Sequence, residues 1–450
     1  ETRPLNSYAE AVDWINGLLP FGIRPGLERI ELMMEKLGHP ERRLKFIHVA
    51  GTNGKGSSCA FLTRTLRECG YQVGTFTSPY ITKFTNRFQY NEEDIPETVL
   101  LDLANRIAPL VAEISETELG SPTMFEVSTA IAILYFAEVC YPDVVVWETG
   151  LGGRMDVTNI VTPIVSLITN IGMDHMDVLG DTIEQIAREK AGIIKAGVPV
   201  VSCAEQPEAV AVLKETAAAK HATLCLMGEQ FRYERVAVDA KEQQLHFQGP
   251  FREMDFTIRM LGEHQCKNAA GVMMVLEVLR QYMAFILEDE QVQDGFRTAF
   301  WAGRLEVVRE EPRLVLDGAH NPEGAASLAK SLPEAFQYRK LHLMMGMLAN
   351  KHHQGYLKHI LPIVDTLILT EPDFRRKMDA DALYELVAEL QGTEAKADLE
   401  IIVERDWRKA LSLLESRTER EDLGVVTGTL YLISDVRAAL LHQTDSEKGW

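Results

Sequence analysis

Apolar positions along this chain switch between helical spacing and short continuous runs, the pattern of an alternating α/β protein. Tyr8, Val12, Ile15 and Leu19 recur at helical spacing, and so do Leu27, Ile30, Met33, Met34 and Leu37. Pro20, Pro25 and Gly26 break the two segments, and Gly38-His39-Pro40 ends the second. An apolar strand from Phe46 leads into a glycine-rich turn and a helical segment, Cys59 to Cys69. Tyr71 to Thr77 predicts a second strand, and a helix follows from Pro96 to Glu118. Thr123-Met124-Phe125-Glu126 opens a strongly apolar helix to Cys140. Asp143 to Glu148 is a continuous apolar run that suits a strand buried on both faces. Val165 to Asn170 and Pro199 to Cys203 read as further strands, with a helix from Asp181 to Ala196 between them.

From 221 to 260 short apolar and polar runs alternate, which predicts a small β-rich insertion. Gly262 then opens another apolar helix. A boundary falls near 295–303, and a second α/β series follows it. Its strands are Leu314 to Leu316, Leu341 to Met345, Thr366 to Thr370, Glu400 to Val403 and Gly424 to Val426. Two domains are expected, 1–298 and 299–450, as a length of 450 residues also suggests.

The stretch from Phe46 to Ser58, F-I-H-V-A-G-T-N-G-K-G-S-S, is the strongest chemical signal. Strand, glycine-rich loop and helix together present backbone N–H groups and a helix N-terminus to a phosphate. Gly51, Gly54 and Gly56 let the backbone turn and approach the phosphates, Lys55 reaches the β- and γ-phosphates, and Ser57 faces a magnesium ion. The spacing departs from G-x-x-x-x-G-K-[ST]: Val49 stands where the first glycine belongs, and Gly56 separates Lys55 from Ser57. The bland alternative is a strand-to-helix turn that is glycine-rich by chance.

Glu148 ends a buried strand and runs into Thr149-Gly-Leu-Gly-Gly153. A carboxylate there is costly without a partner, and magnesium beside phosphates wants carboxylate oxygen. Ser78, at another strand end, is a second candidate metal ligand. Ligands gather at strand C-termini in open α/β sheets. Lys83, Asn86 and Arg87 therefore are candidates for holding an anionic or heteroaromatic substrate, or else form a solvated surface loop. His175, after a strand and between Asp174 and Asp177, is a metal ligand or a structural histidine. Lys190 reads from its spacing as a solvated helix face. Gln265 and Asn268 sit in the first turns of a helix and could hydrogen-bond a base edge.

Composition narrows the partners. Forty-six lysines and arginines against 66 aspartates and glutamates give a net charge of −20, which argues against non-specific nucleic-acid binding. The six cysteines (59, 69, 140, 203, 225 and 266) form no C-x-x-C pair or metal-ligand spacing and read as buried free thiols in a reducing compartment. The N-terminus shows no basic-then-apolar signal, and the longest apolar helical run, Ala130 to Ala137, is too short to span a bilayer. A cytoplasmic protein is expected, with no membrane or nucleic-acid partner.

Taken together the motifs resemble the Mur ligase superfamily, and within it the folylpolyglutamate synthase/dihydrofolate synthase family. The residues that carry this are Ala50 to Ser57, Thr77-Ser-Pro79, Glu148 to Gly153, Asp174-His175, Glu189-Lys-Ala-Gly-Ile193, Gly303-Arg304 and Asp317-Gly-Ala-His-Asn-Pro322, in family order from about residue 20 to about residue 440. The shifted phosphate-loop glycines are the Mur-type form. The resemblance implies a P-loop nucleotide-binding domain of the Mur-ligase central type, followed by a smaller Rossmann-like α/β domain. It implies a monomeric ATP-dependent ligase joining L-glutamate to a folate or dihydropteroate carboxylate through an acyl phosphate.

It also implies roles. Gly51, Thr52, Asn53, Gly54, Lys55, Gly56, Ser57 and Ser58 hold the nucleotide, with Asn268 on the adenine and Arg304 and Asp317 reaching it from the second domain. Ser78 and Glu148 bind a first Mg2+ with Ser57 beside the phosphates. His175 binds a second, and Lys190 is carbamylated. His320, Thr429 and Tyr431 face glutamate. Phe125, Arg154 and Asp156, with the loop from Tyr80 to Phe88, line the pterin pocket. Tyr80 and Thr429 depart from the histidine and serine often found at those positions.

Two other readings compete. A Mur-type ligase acting on a cell-wall precursor would carry a further N-terminal domain, yet here the phosphate loop begins at residue 51. A nucleotide-dependent binding module without ligase activity would not need Glu148, His175 and Lys190 together with Asp317 and His320.

Overall fold

The structure, a computed structural model, describes residues 3–18, 26–78 and 82–442. Pro20, Pro25 and Tyr80 lie outside the described residues. Among the described residues the first sheet has eight strands. They are β1 (Phe46–Ala50), β2 (Val73–Phe76), β3 (Phe88–Tyr90), β4 (Glu93–Asp94), β5 (Val144–Glu148), β6 (Val165–Ile168), β7 (Val200–Ser202) and β8 (Leu224–Leu226), in the order β4-β3-β2-β5-β1-β6-β7-β8. From β2 to β8 every pairing is parallel, and β3 and β4 close one edge as an antiparallel hairpin.

β1 and β5 are buried along their whole length because helices cover both faces. On one face Ile47, Val49, Val144 and Val146 pack with Phe61, Leu62 and Leu66 of helix Lys55–Glu68, Met273 and Leu276 of helix Glu263–Tyr282, and Phe296 of helix Asp289–Thr298. On the other, Phe46, Val145 and Trp147 meet Ile30 and Met33 of helix Glu28–Lys36, Leu103 and Ile107 of helix Glu97–Ser115, and Ile131 of helix Met124–Leu134. That last helix begins where expected, because Thr123 and Glu126 form a reciprocal capping box. The predicted helix at Asp181 to Ala196 is shorter, Ile183–Ala191: Thr182 caps its start, and Gly192 follows its end.

The expected insertion at 221–260 divides. Leu224–Leu226 joins the main sheet, while β9 (Arg232–Val238), β10 (Gln243–Gln248) and β11 (Glu253–Ile258) form a separate antiparallel sheet. The second α/β series builds a sheet of β12 (Glu306–Glu310), β13 (Arg313–Leu316), β14 (Leu341–Met345), β15 (Thr366–Leu369), β16 (Glu400–Val403) and β17 (Leu423–Thr427), ordered β12-β13-β17-β14-β15-β16. Only β12 is antiparallel in it. β17 sits between β13 and β14, so the loops after these three strands meet at one end of the sheet.

No helix among the described residues is long and apolar enough to cross a membrane. All six cysteines are free; Cys69 and Cys140 are half-buried rather than buried as expected.

Candidate active site

The phosphate loop leaves β1 at Gly51, whose φ is 150°. A Cβ there would lie 1.8 Å from Thr169 Oγ1, so no other residue fits. Asn170, just past β6, pins the loop: its Oδ1 accepts the N–H of Thr52 at 3.1 Å and of Asn53 at 2.8 Å. Thr169 Oγ1 donates to Asn53 O at 2.6 Å. At Gly54, φ 79°, a Cβ would meet the Asn268 side chain at 2.4 Å. Helix Lys55–Glu68 starts next, leaving the N–H groups of its first turn outside the helical ladder. Lys55 Nζ rests 3.4 Å from Thr149 O and 3.5 Å from Gly150 O.

Glu148 lies beside this loop because β5 pairs with β1 in register Val49 to Glu148. It is 3% exposed, and its Oε2 accepts the Ser78 N–H at 2.8 Å. Burial lifts its carboxyl from the usual 4.5 to about 7, against the pull of Lys55. The glycines that follow pack on the helix carrying Lys190: a Cβ on Gly153 would stand 2.7 Å from Glu189 O. Lys190 is buried, and desolvation, helped by Lys55, lowers its amine to about 7. The solvated-face reading of this lysine is thus corrected.

The second sheet supplies the facing wall. Arg304 and His320 reach the cavity from the loops before β12 and after β13, and Thr429 and Tyr431 from the loop and helix after β17. His320 Nδ1 hydrogen-bonds Gly318 O at 3.0 Å, and its Nε2 lies 3.4 Å from Asp174 Oδ2. Asp174 also takes Lys351 Nζ at 3.2 Å and Asn321 Nδ2 at 3.3 Å. Burial alone would raise the Asp174 carboxyl, but the His320 hydrogen bond and the charges of His320 and Lys351 hold it well below the usual range. Asn321 Nδ2 also donates to Asn53 Oδ1 at 2.9 Å, and Glu323 Oε1 accepts the Met173 N–H at 3.0 Å. Tyr431 stacks on Phe374 at 3.8 Å, and its hydroxyl accepts from Arg376 at 3.3 Å.

Between the walls lies a cavity of about 500 Å3. Gly51 to Gly56, Ser78, Arg87, Phe125, Glu148, His175, Lys190, Arg304, His320, Thr429 and Tyr431 all line it, as the sequence suggested. Other expected residues do not. Ser57 is buried with its Oγ accepting from Gln265 Nε2 at 2.9 Å, and Ser58 is fully buried. Asn268 donates to Gln265 Oε1 at 3.0 Å, so both amides serve the loop first. Asp317 spends its two oxygens on the N–H groups of Leu305 and Ala319, each at 3.0 Å; it sets the Arg304 and His320 loops from behind.

Three residues expected on the pterin side do not line this cavity. Arg154 is exposed and pairs with Glu189 at 3.0 Å. Asp156 is buried under the glycine loop, accepting the N–H groups of Gly150, Leu151 and Thr158. Lys83 lies off the cavity wall, and Asn86 caps its own turn, accepting the Thr82 and Lys83 N–H groups. Among the described residues of that loop, Arg87, buried and 5.6 Å over the Phe84 ring, is the one that lines the cavity. Lys351, Arg375 and Arg376 were not anticipated, and Asn170, Asp174 and Asn321 had been noted only within a strand or a motif, without a role.

Among the described residues no group of three or more His, Cys, Asp or Glu side chains is set to hold a metal. Magnesium does not need one, because it binds through one or two carboxylates, substrate phosphates and water. A buried Glu148 whose carboxyl is lifted to about 7 beside a phosphate loop is a fitting donor for such an ion.

Residues 134–276 match the Mur ligase middle domain, and residues 303–430 the Mur ligase glutamate ligase domain. Over 449 residues the chain is 39% identical to the dihydrofolate synthase/folylpolyglutamate synthase of Bacillus subtilis, covering 96% of this chain and 99% of that one. Its structure resembles Mycobacterium tuberculosis folylpolyglutamate synthase complexed with ADP, with a TM-score of 0.89 at 29% identity over 98% of this chain and 99% of that one. It likewise resembles Escherichia coli FolC in complex with DHPP and ADP, with a TM-score of 0.86 at 27% identity over 98% and 99% of the two chains. With the Mur-type phosphate loop in place and the likeness running through both α/β sheets, the chain belongs to the dihydrofolate synthase/folylpolyglutamate synthase family of Mur ligases.

Proposed function

We propose that this chain is an ATP-dependent ligase that adds L-glutamate to the carboxylate of dihydropteroate or of a reduced folate. The observation that carries the reading is the single cavity with the phosphate loop, Glu148 and Lys190 on one wall and Arg304, His320, Thr429 and Tyr431 on the other. ATP lies along the loop, its phosphates taken by the first-turn N–H groups of helix Lys55–Glu68 and by Lys55. Arg304 adds positive charge from the facing wall. The folate carboxylate attacks the γ-phosphorus, its bond to the β-bridging oxygen breaks, and ADP leaves. The amine of glutamate then attacks the acyl carbon, loses a proton, and phosphate departs from the tetrahedral intermediate. Positioning and charge neutralisation are the protein's main contributions.

Phe125 and Arg87 lie on the folate side, and His320, Thr429 and Tyr431 on the glutamate side. Mg2+ would be held by Glu148 and Ser78, with Ser57 behind them, and a second ion by His175 with a carbamate on Lys190; it supplies positive charge to the β- and γ-phosphate oxygens. Lys190 favours the carbamate because an amine lowered to about 7 is substantially neutral at cellular pH and attacks carbon dioxide, releasing one proton. The division into domains 1–298 and 299–450 belongs to the same reading. Helix Asp289–Thr298 packs on helix Lys55–Glu68, whereas β12 pairs with β13 of the second sheet.

The test supplies ATP and glutamate with either dihydropteroate or tetrahydrofolate. A product one glutamyl unit longer from at least one acceptor is expected; ADP release without such a product from either would overturn the reading.

A further inference from the structure

The chain passes from the first sheet to the second through Trp301-Ala-Gly303. Before this point it is locked to the helices of the first sheet: helix Asp289–Thr298 lies so near helix Lys55–Glu68 that a Cβ on Gly295 would stand 2.5 Å from Thr65 Cα. After it the chain is locked to the second sheet. Gly303, at φ 75°, donates its N–H to Glu306 Oε1 at 3.0 Å, and its carbonyl accepts the Gly318 N–H at 2.8 Å. Arg437 Nε donates to the same Glu306 oxygen at 2.9 Å, and the Leu305 N–H goes to Asp317 Oδ1 at 3.0 Å.

Arg304 sits inside this second anchored turn, its Nη1 3.3 Å from where a Cβ on Gly318 would lie. Shortly before it in the chain, the Trp301 indole rests on the phosphate loop. A Cβ on Gly56 would stand 2.7 Å from Trp301 Cε2 and Nε1 and 2.8 Å from Cζ2, so this ring and a side chain at position 56 exclude each other. The ring is half-buried against the first core and lies off the cavity wall, whereas Gly56 and Arg304 both line it. Close-packed groups cannot shift independently. A movement of the loop's first turn around phosphates therefore displaces the ring, and the short link from Trp301 to Gly303 passes that displacement to Arg304.

We propose that Trp301 is a positioning residue for the ligation: its indole ties Arg304 to the occupancy of the phosphate loop, so that the guanidinium meets the γ-phosphate once the nucleotide has seated the loop. The proposal rests on the ligase reading, and it deepens it: the arginine acts from the second domain, and the tryptophan registers it against the first.

The test pairs a spectroscopic readout with kinetics. The protein is labelled with 5-fluorotryptophan, and the Trp301 signal is assigned by its loss in Trp301→Phe. Magnesium AMP-PNP, at a concentration that calorimetry shows to be saturating, should shift that signal, and adenosine, which has no phosphate, should leave it in place. In parallel, kcat is measured for Trp301→Ala, Arg304→Lys and the double variant. Each single change should lower kcat about tenfold, with KM for glutamate within about twofold of wild type. Trp301→Phe should keep most of the rate. The double variant should lose no more than about twentyfold, because both residues act through one guanidinium. A signal unmoved by bound AMP-PNP, full activity in Trp301→Ala, or a loss of about hundredfold in the double variant, the product expected of independent residues, would overturn the coupling. A wild-type protein that makes no glutamyl product would strike the ligase reading instead, and the fluorine signal would still decide the coupling.

Discussion

Glu148 carries a carboxylate where water does not reach, at a cost to the folded chain while no cation accompanies it. Its carboxyl sits at about 7 in the fold against about 4.5 when unfolded. Between those values the folded chain keeps a proton that the unfolded chain has released, so stability falls as pH rises through that window and stays low above it. Glu148→Gln should therefore stabilise the nucleotide-free protein at pH 8 by about 2–4 kcal/mol, read from denaturant unfolding, while abolishing ligation. Equal stability or retained activity would contradict its burial or its role. Lys190 is the complementary case, an amine that burial makes reactive. In 13C-bicarbonate at neutral pH it should give a carbamate carbonyl signal that Lys190→Arg lacks; the same spectrum from both proteins would remove the carbamate.

The elements that shape the site were legible to different degrees. β1, β5 and the inner strands of the second sheet, β13, β14, β15 and β17, announced themselves as apolar runs, because strands buried on both faces cannot hide polar residues. The hairpin of β3 and β4 and the edge strand β12 did not, since runs so short, or so half-exposed at a sheet edge, carry no periodicity. The phosphate loop was legible as letters, but its support was not. Asn170 follows a different strand and reaches the loop only because β6 pairs with β1. Asp156 and Asp317 were read as ligand contacts, whereas each is buried beneath a loop and satisfies its N–H groups; a spacing pattern cannot tell a residue that touches substrate from one that holds the loop that does. Asn170→Ala leaves the Thr52 and Asn53 N–H groups without their acceptor. It should raise KM for ATP about tenfold with little change in KM for glutamate. Parallel changes in both would indicate a general loss of folding instead.

At the scale of the whole molecule, the two sheets meet through Asp174. It faces His320, Asn321 and Lys351 across the cleft, while Asn53 meets Asn321 and Met173 meets Glu323. Nothing in the sequence foretold Lys351 opposite Asp174, because the two are 177 residues apart and share no motif. The Asp174 carboxyl lies below its ordinary 3.8 in the fold, so its ion pairs contribute above that value and are lost only as pH falls through the lower folded one. Asp174→Ala should expand the nucleotide-bound molecule in small-angle scattering and lower kcat/KM about tenfold or more. An unchanged profile and rate would mean that the walls close without it.

The central claim is that one cleft between two sheets activates a folate carboxylate by phosphorylation and hands it to glutamate. The most direct measurement follows an oxygen atom. A folate substrate labelled with 18O in its reacting carboxylate is incubated with ATP, glutamate and this protein, and the released phosphate is analysed by mass spectrometry. The phosphate should carry 18O from the folate, and its release should require folate and glutamate together. Unlabelled phosphate alongside ligated product, or phosphate released at the same rate without folate or glutamate, would contradict the account.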